Sequence, residues 1–118
     1  MSQAPAQAPA EHEEKFEYKH LSIDWPEMLV SIDGKPVHLT PLEFRLLTLL
    51  VRRRGWVVTY QQALTEVWGP SYIADRANLK LYIWYLRRKI ERDPSHPELI
   101  ITRRGMGYIL GSRAAAAA

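Results

Sequence analysis

The sequence predicts an α+β domain: a small antiparallel sheet, then three helices, then a C-terminal β-hairpin. Three observations carry that expectation. From Phe16 to Leu39 apolar residues recur at every second position between turn residues. From Thr40 to Asp93 the apolar spacing changes to that of helices, with start and stop residues in place three times. From Leu99 to Leu110 two short apolar runs flank Arg104-Gly105.

The strand region reads FEYKHLSIDW, with Phe16, Tyr18, Leu21, Ile23 and Trp25 on alternate sites, followed by MLVSIDGKPVHL. Asp33-Gly34 divides the second run as a hairpin turn does, so three or four strands are expected. Thr40-Pro41-Leu42-Glu43 is a capping box with Pro at the first helical position. The apolar residues Phe44, Leu46, Leu47, Leu49, Leu50 and Val51 then suit a central helix. Arg52, Arg53 and Arg54 fall in its last turn, where cations complement the helix dipole, and Gly55 stops it.

Trp56-Val57-Val58 reads as an extended link, and Thr59-Tyr60-Gln61-Gln62 is a second capping box. The second helix is expected to run to about Trp68, with Ala63, Leu64, Val67 and Trp68 inward, and to end at Gly69-Pro70. After a loop over 70–74, Asp75 can cap a third and longest helix, which is expected to end at Asp93-Pro94. In it Leu79, Ile83, Leu86 and Ile90 make one apolar stripe, which leaves Lys80, Leu81, Trp84, Tyr85 and Arg88 on or near the opposite side. Strands at Leu99–Arg103 and Met106–Leu110 complete the chain, with Gly105 and Gly107 read as turn residues that supply positive φ. The second and third helices can form a helix-turn-helix and the hairpin a wing.

Residues 1–14 are mostly Ala, Pro, Gln and Glu without apolar periodicity, and residues 114–118 are all Ala. The expected organisation is therefore a disordered linker or tail over 1–15, one domain over 16–112 and a disordered tail over 113–118. The chain has no Cys, which excludes disulfides and cysteine-ligated metals. No segment approaches the ~20 apolar residues of a membrane span, and the first residues lack the pattern of a secretory signal. A cytoplasmic protein without a membrane contact is expected.

Charge is unevenly placed. Between Arg76 and Arg104 lie eight basic residues (Arg76, Lys80, Arg87, Arg88, Lys89, Arg92, Arg103, Arg104) against Glu91, Asp93 and Glu98, on a chain of net charge +3. A basic helix with a basic hairpin beside it suits a polyanion such as DNA. His12, His20, His38 and His96 have no metal-ligand spacing, and no phosphate loop or nucleophile elbow occurs. Gly105-Met106-Gly107 lies in a hairpin and is no dinucleotide fingerprint. Neither an enzyme nor a cofactor is expected.

At this point four motifs stand in order: His38-Leu39-Thr40-Pro41-Leu42-Glu43-Phe44-Arg45-Leu46-Leu47, Val67-Trp68-Gly69, Leu86-Arg87-Arg88-Lys89-Ile90, and Thr102-Arg103-Arg104-Gly105-Met106-Gly107-Tyr108. Over about residues 18 to 110 the chain resembles the winged-helix output domains of OmpR/PhoB-type response regulators. Within that family LKLYIWYLRRKIERDP is most similar to the KdpE subgroup, which controls potassium-uptake genes. The resemblance implies a transcription factor whose receiver domain is phosphorylated by a sensor kinase, and two output domains in tandem on direct repeats of double-stranded DNA. No receiver is present in these residues. The resemblance therefore implies either an output domain apart from its receiver or a regulator that stands alone.

The same resemblance assigns base-facing positions to Lys80, Leu81 and Tyr85. Lys80 can donate to guanine O6 or N7 and Leu81 can meet a thymine methyl. Tyr85 stands where relatives often carry Arg, and its phenol suits a phosphate. Arg88 is a further major-groove candidate. Trp84 departs from the family as well: it suits stacking on a sugar, contact with a neighbouring domain, or packing beside the wing. Arg76, Tyr82, Arg87 and Lys89 read as phosphate or surface residues, with Arg87 the foremost phosphate candidate and Arg76 alternatively paired with its acidic neighbours Asp75 or Glu91. By resemblance Thr102 meets a phosphate and Arg104 enters the minor groove, where a long cation finds strong negative potential over A·T pairs. Thr59 either contacts a phosphate at the start of the second helix or only caps it. Loop 70–74, with Tyr72 and Ile73, takes the place at which the family meets RNA polymerase. The rival reading is a winged helix for protein contact, with Leu81, Trp84 and Tyr85 as an aromatic patch and DNA affinity without a steep salt dependence.

Overall fold

The computed structural model describes residues 14–111. They fall into two compact units that divide between His38 and Leu39.

The first unit is a four-stranded antiparallel meander of β1 (Lys15–Tyr18), β2 (Leu21–Asp24), β3 (Leu29–Ile32) and β4 (Lys35–Val37). Phe16, Ile23, Val30 and Val37 stand opposite one another across the four strands, and the first three are buried. The alternation in the sequence thus becomes one apolar face. Asp33 (φ 52°) and Gly34 (φ 81°) both take positive φ between the paired Ile32 and Lys35, the geometry of a two-residue type I′ turn. The first strand begins one residue earlier than expected: Lys15 pairs with Asp24, and the Glu14 carbonyl accepts from the Trp25 N–H at 2.9 Å. The remainder of the expected linker, 1–13, and the expected tail 113–118 lie outside the described residues.

The second unit contains α1 (Pro41–Arg52), β5 (Val58–Thr59), α2 (Tyr60–Val67), a 3-10 turn (Pro70–Tyr72), α3 (Arg76–Ile90), β6 (Ile100–Arg103) and β7 (Gly107–Leu110). Its core is Leu46, Leu47 and Leu50 of α1, Leu64 of α2, the stripe Leu79, Ile83, Leu86 and Ile90 of α3, and Ile100, Ile109 and Leu110 of the hairpin, all at most 2% exposed. Each such side chain contributes roughly 1.5–3 kcal/mol by leaving water. Both capping boxes form. Glu43 N–H donates to Thr40 Oγ1 at 3.3 Å and Thr40 N–H to Glu43 Oε1 at 2.9 Å. The Thr59–Gln62 pair does the same at 3.1 and 2.9 Å.

Three expectations are corrected. The link at Trp56-Val57-Val58 leads into a strand: β5 pairs with β7, so the wing is a three-stranded sheet in the order β5-β7-β6. Gly105 has the positive φ (77°) of the turn, but Gly107 is a strand residue. A Cβ on Gly107 would stand 2.0 Å from the Val58 carbonyl oxygen, so this glycine permits the close approach of β5. Helix α3 ends at Ile90, before Asp93-Pro94, because Glu91 leaves the helix with extended backbone and turns its carboxylate inward. That carboxylate accepts backbone N–H bonds from Glu98 (2.8 Å), Leu99 (3.0 and 3.1 Å) and Ile100 (2.8 Å), and Glu91 is 6% exposed.

Candidate nucleic-acid interface

Helix α3 carries most of the candidate residues because its apolar stripe faces the core. At ~100° per residue the opposite side presents Ala77, Leu81 and Arg88, with Lys80 and Trp84 toward one flank and Tyr82 and Tyr85 toward the other. Leu81 is 43% and Trp84 51% exposed. Leu81 is therefore no core residue. Ala77, also exposed, shares this side and escaped the sequence reading, because a lone Ala on a helix gives no chemical signal.

The flank that bears Lys80 forms an open groove with the wing. It brings together Arg76, Lys80, Trp84, Arg87, Thr102 and Arg104, six of the candidates drawn from α3 and the hairpin. Pro94 and Ser95 also line it, as do Tyr60 and Tyr108. The first two come from the segment that follows Glu91, so the early end of α3 is what puts them there.

The groove's floor is a sequence of ring and cation contacts. The Arg76 guanidinium lies 4.5 Å from the Tyr60 ring centroid, Tyr60 meets Tyr108 edge-on at 5.9 Å, and Arg87 lies 5.8 Å from Tyr108. Arg76 accordingly rests on an aromatic face (a cation–π contact). Glu91, one of its suggested acidic neighbours, is committed to the segment before the wing. Burial draws the Arg87 pKa below its ordinary value, while Tyr108 and Glu91 act in the opposite direction. Burial, with Tyr60, raises the Tyr108 pKa against the pull of Arg87. Arg87 stays protonated and Tyr108 neutral near pH 7.

Arg87 is mainly an anchor. Its Nε and Nη2 donate to the Ile100 carbonyl at 3.2 and 2.7 Å, and Nη2 also donates to Thr102 Oγ1 at 2.9 Å. It thus ties α3 to β6. Lys89 is engaged as well: its ammonium lies 2.7 Å from Glu43 Oε1 and joins α3 to the cap of α1. Burial pushes the Glu43 carboxyl up, but the bonds from Lys89 and Thr40 together outweigh it and hold the carboxyl below its ordinary value.

Arg104 is exposed at the hairpin tip beside Gly105 and Met106, and Arg103 is exposed at the end of β6. Thr59 is an exposed cap that lines a separate shallow recess with Gln61, Gln62 and Thr65. On the other flank of α3, Trp68 meets Tyr82 edge-on at 5.1 Å and Tyr82 meets Tyr85 at 5.3 Å. Tyr82 is thereby held against the end of α2, and the aromatic series continues from Tyr85 to Trp84 at 5.7 Å. Arg88 lies 4.8 Å over the Trp84 ring. Tyr72 and Ile73, after α2, are 45% and 43% exposed. Among the described residues no group of His, Asp or Glu is arranged to hold a metal ion, and no helix is long and apolar enough to cross a membrane.

A profile of the family "Transcriptional regulatory protein, C terminal" matches residues 34–110. The chain belongs to that family. It is 44% identical over 93 residues to the transcriptional regulatory protein KdpE of Mycobacterium tuberculosis, covering 79% of this chain and 41% of the relative. It is 38% identical over 91 residues to the KDP operon regulator KdpE of Escherichia coli, covering 77% and 40%. The chain thus spans about two fifths of the length of the curated relatives it matches. Among solved structures it resembles DrrB of Thermotoga maritima, an OmpR/PhoB homologue, with TM-score 0.73 and 30% identity over 87% of this chain and 46% of that one. The expected winged helix-turn-helix, with its N-terminal sheet, three helices and hairpin, is the architecture observed, and the resemblance to KdpE and the OmpR/PhoB regulators holds.

Proposed function

We propose that this chain is the output domain of a two-component transcriptional regulator and binds double-stranded DNA in a sequence-specific manner. Helix α3 enters the major groove and the hairpin reaches the adjacent minor groove. The observation that carries the reading is the groove between α3 and the wing, where Arg76, Lys80 and Arg104 gather beside the exposed side of α3. A phosphate backbone lying in that groove meets cations from two elements at once, and α3 then faces base edges.

In this reading Lys80, Leu81, Tyr85 and Arg88 face bases, with Trp84 beside them. Thr59, Arg76, Tyr82 and Thr102 serve phosphates, and Arg104 takes the minor groove. Arg87 acts through the wing it holds, with a phosphate as a secondary partner. In the full-length protein a receiver domain and a sensor kinase precede the DNA-binding step, and two copies sit in tandem on direct repeats. Loop 70–74, with exposed Tyr72 and Ile73, offers a face to RNA polymerase. The protein acts in the cytoplasm.

Selection of bound DNA from a random duplex library at near-physiological salt tests the reading. The expected result is a direct repeat with about one helical turn between half-sites. If six to eight phosphates are neutralised, log K falls with log[salt] at a slope of roughly −5 to −7. Weak, salt-insensitive retention without enrichment would instead favour a protein-contact surface at Leu81 and Trp84.

A further inference from the structure

We infer that Trp84 and Arg88 act as one guanine-reading unit, in which Trp84 positions the Arg88 guanidinium and Arg88 makes the base contact. The inference rests on the DNA-binding reading above and adds to it a specificity determinant that depends on this chain's own aromatic residues.

Arg88 stands almost opposite the buried stripe of α3, at the side that meets the groove floor when the helix docks. A flank cation such as Lys80 has both a phosphate wall and base edges within reach, whereas one at this apex faces the base edges directly. A free Arg at such a site must give up its rotamer freedom on binding. Here the guanidinium already lies 4.8 Å over the Trp84 ring, one helical turn away. A cation–π contact of this kind fixes the plane of the fork while leaving its N–H edges outward. The fork geometry matches guanine O6 and N7, the commonest specific major-groove contact. Holding the fork beforehand lowers the ordering cost of that contact.

Trp84 is itself held in place. Tyr85 lies 5.7 Å from its ring, Tyr82 lies 5.3 Å from Tyr85, and Trp68 at the end of α2 lies 5.1 Å from Tyr82. The platform under Arg88 is thus the last member of a ring series that begins at the helix-turn-helix corner. Trp84 is nevertheless half-exposed, so its π face is available to Arg88 without being taken up by the core. Arg87 and Lys89 on either side of Arg88 are engaged with Ile100 and Glu43, which leaves Arg88 as the outward cation of this turn.

The test uses the whole chain and the operator recovered from the random library. Affinity is measured for operators carrying every single base-pair change, with the wild type and with R88K, W84L, W84F and the R88K/W84L double variant. The wild type should prefer one G·C pair in each half-site by roughly 5- to 150-fold, the range of a good bidentate contact. R88K keeps the charge but loses the fork, and W84L keeps apolar bulk but loses the π face. Both should flatten the preference at that same pair to a few-fold, leave the other positions in their wild-type order and keep the salt slope. W84F should retain the preference, and the double variant should be no flatter than R88K. Thermal melting of each variant checks that the fold survives, which both exposed sites allow. A steep preference for guanine retained in W84L, or a flattening by W84L at a pair that R88K leaves unchanged, overturns the inference while DNA binding stands. Failure of the wild type itself to enrich any sequence overturns the DNA-binding reading and this inference with it.

Discussion

Helix α3 carries two sets of cations with opposite roles. Arg87 and Lys89 point back into the protein, the first to the Ile100 carbonyl and the Thr102 hydroxyl, the second to Glu43. Lys80 and Arg88 point outward, one into the groove beside the wing and one over Trp84. In the sequence Arg87, Arg88 and Lys89 are consecutive and look alike. Rotation by ~100° per residue separates them: the stripe Leu79, Ile83, Leu86, Ile90 fixes the inside, and residues on its edges find protein acceptors within reach. A basic helix is therefore not uniformly a DNA surface, and part of its charge builds the frame that holds the rest in position.

The strongest way to break that frame is to remove Glu91. Its carboxylate serves the N–H groups of Glu98, Leu99 and Ile100, at the point where the chain enters the wing. Glu91→Ala should cost about 3–5 kcal/mol in urea unfolding, since it leaves three N–H groups without their acceptor and two of those groups, Leu99 and Ile100, make their bonds in buried surroundings. Glu91→Gln keeps one acceptor oxygen and should lose less. A loss under about 1 kcal/mol for the alanine variant would show that water or backbone rearrangement replaces the carboxylate.

Next comes the pair of neighbours. Arg87→Ala should lower stability by about 2–3 kcal/mol, because a half-buried charged donor to two acceptors is removed. It should also weaken binding to all DNA sequences alike by loosening the wing. Arg88→Ala should change stability by no more than about 0.5 kcal/mol, as an exposed site does, yet reduce specific binding. Equal melting losses in the two variants would erase the distinction between anchored and offered cations.

Much of this architecture is legible in the sequence. Thr40/Glu43, Thr59/Gln62 and Asp33-Gly34 are local chemical signals, complete within four residues, and each forms as expected. The stripe of α3 is legible for the same reason. What is not legible depends on partners distant in the chain. Arg87 finds its acceptor 13 residues later, and Lys89 finds its partner 46 residues earlier. The end of α3 is set by N–H groups that follow Glu91 by seven to nine residues, which outweighs the stop signal at Asp93-Pro94. Gly107 looks like half of a Gly-Met-Gly turn, and only the passage of β5 reveals why a side chain cannot stand there. Candidate residues could be named from type and order, but the choice between reading DNA and holding the fold needs the coordinates.

The offered set gives a finer contrast. Lys80→Ala should cost roughly 1–3 kcal/mol on the correct operator and little on unrelated duplexes, if its ammonium reaches a guanine. Uniform weakening would make Lys80 a phosphate contact. Arg104→Ala should cause a smaller loss, greater on operators with A·T flanks than on those with G·C flanks. The same loss on both flanks would remove the minor-groove role from the hairpin tip.

The smallest effect belongs to the second anchor. Lys89 and the Thr40 cap hold the Glu43 carboxyl below its ordinary value in the folded chain. A group with a depressed folded pKa stabilises the fold above its unfolded value, about 4.3 for Glu, and that contribution disappears as pH falls through the lower folded value. Lys89→Met should thus be less stable than the wild type by roughly 1 kcal/mol at pH 7, a modest figure because the ammonium is partly solvated and screened. In acid below that folded value the gap between the two chains should narrow, since a protonated Glu43 no longer attracts Lys89. Urea midpoints at both pH values decide it. A gap that stays constant would assign the value of Lys89 to its methylene stem packed along α3, and would leave Arg87 as the charge-dependent anchor of this helix.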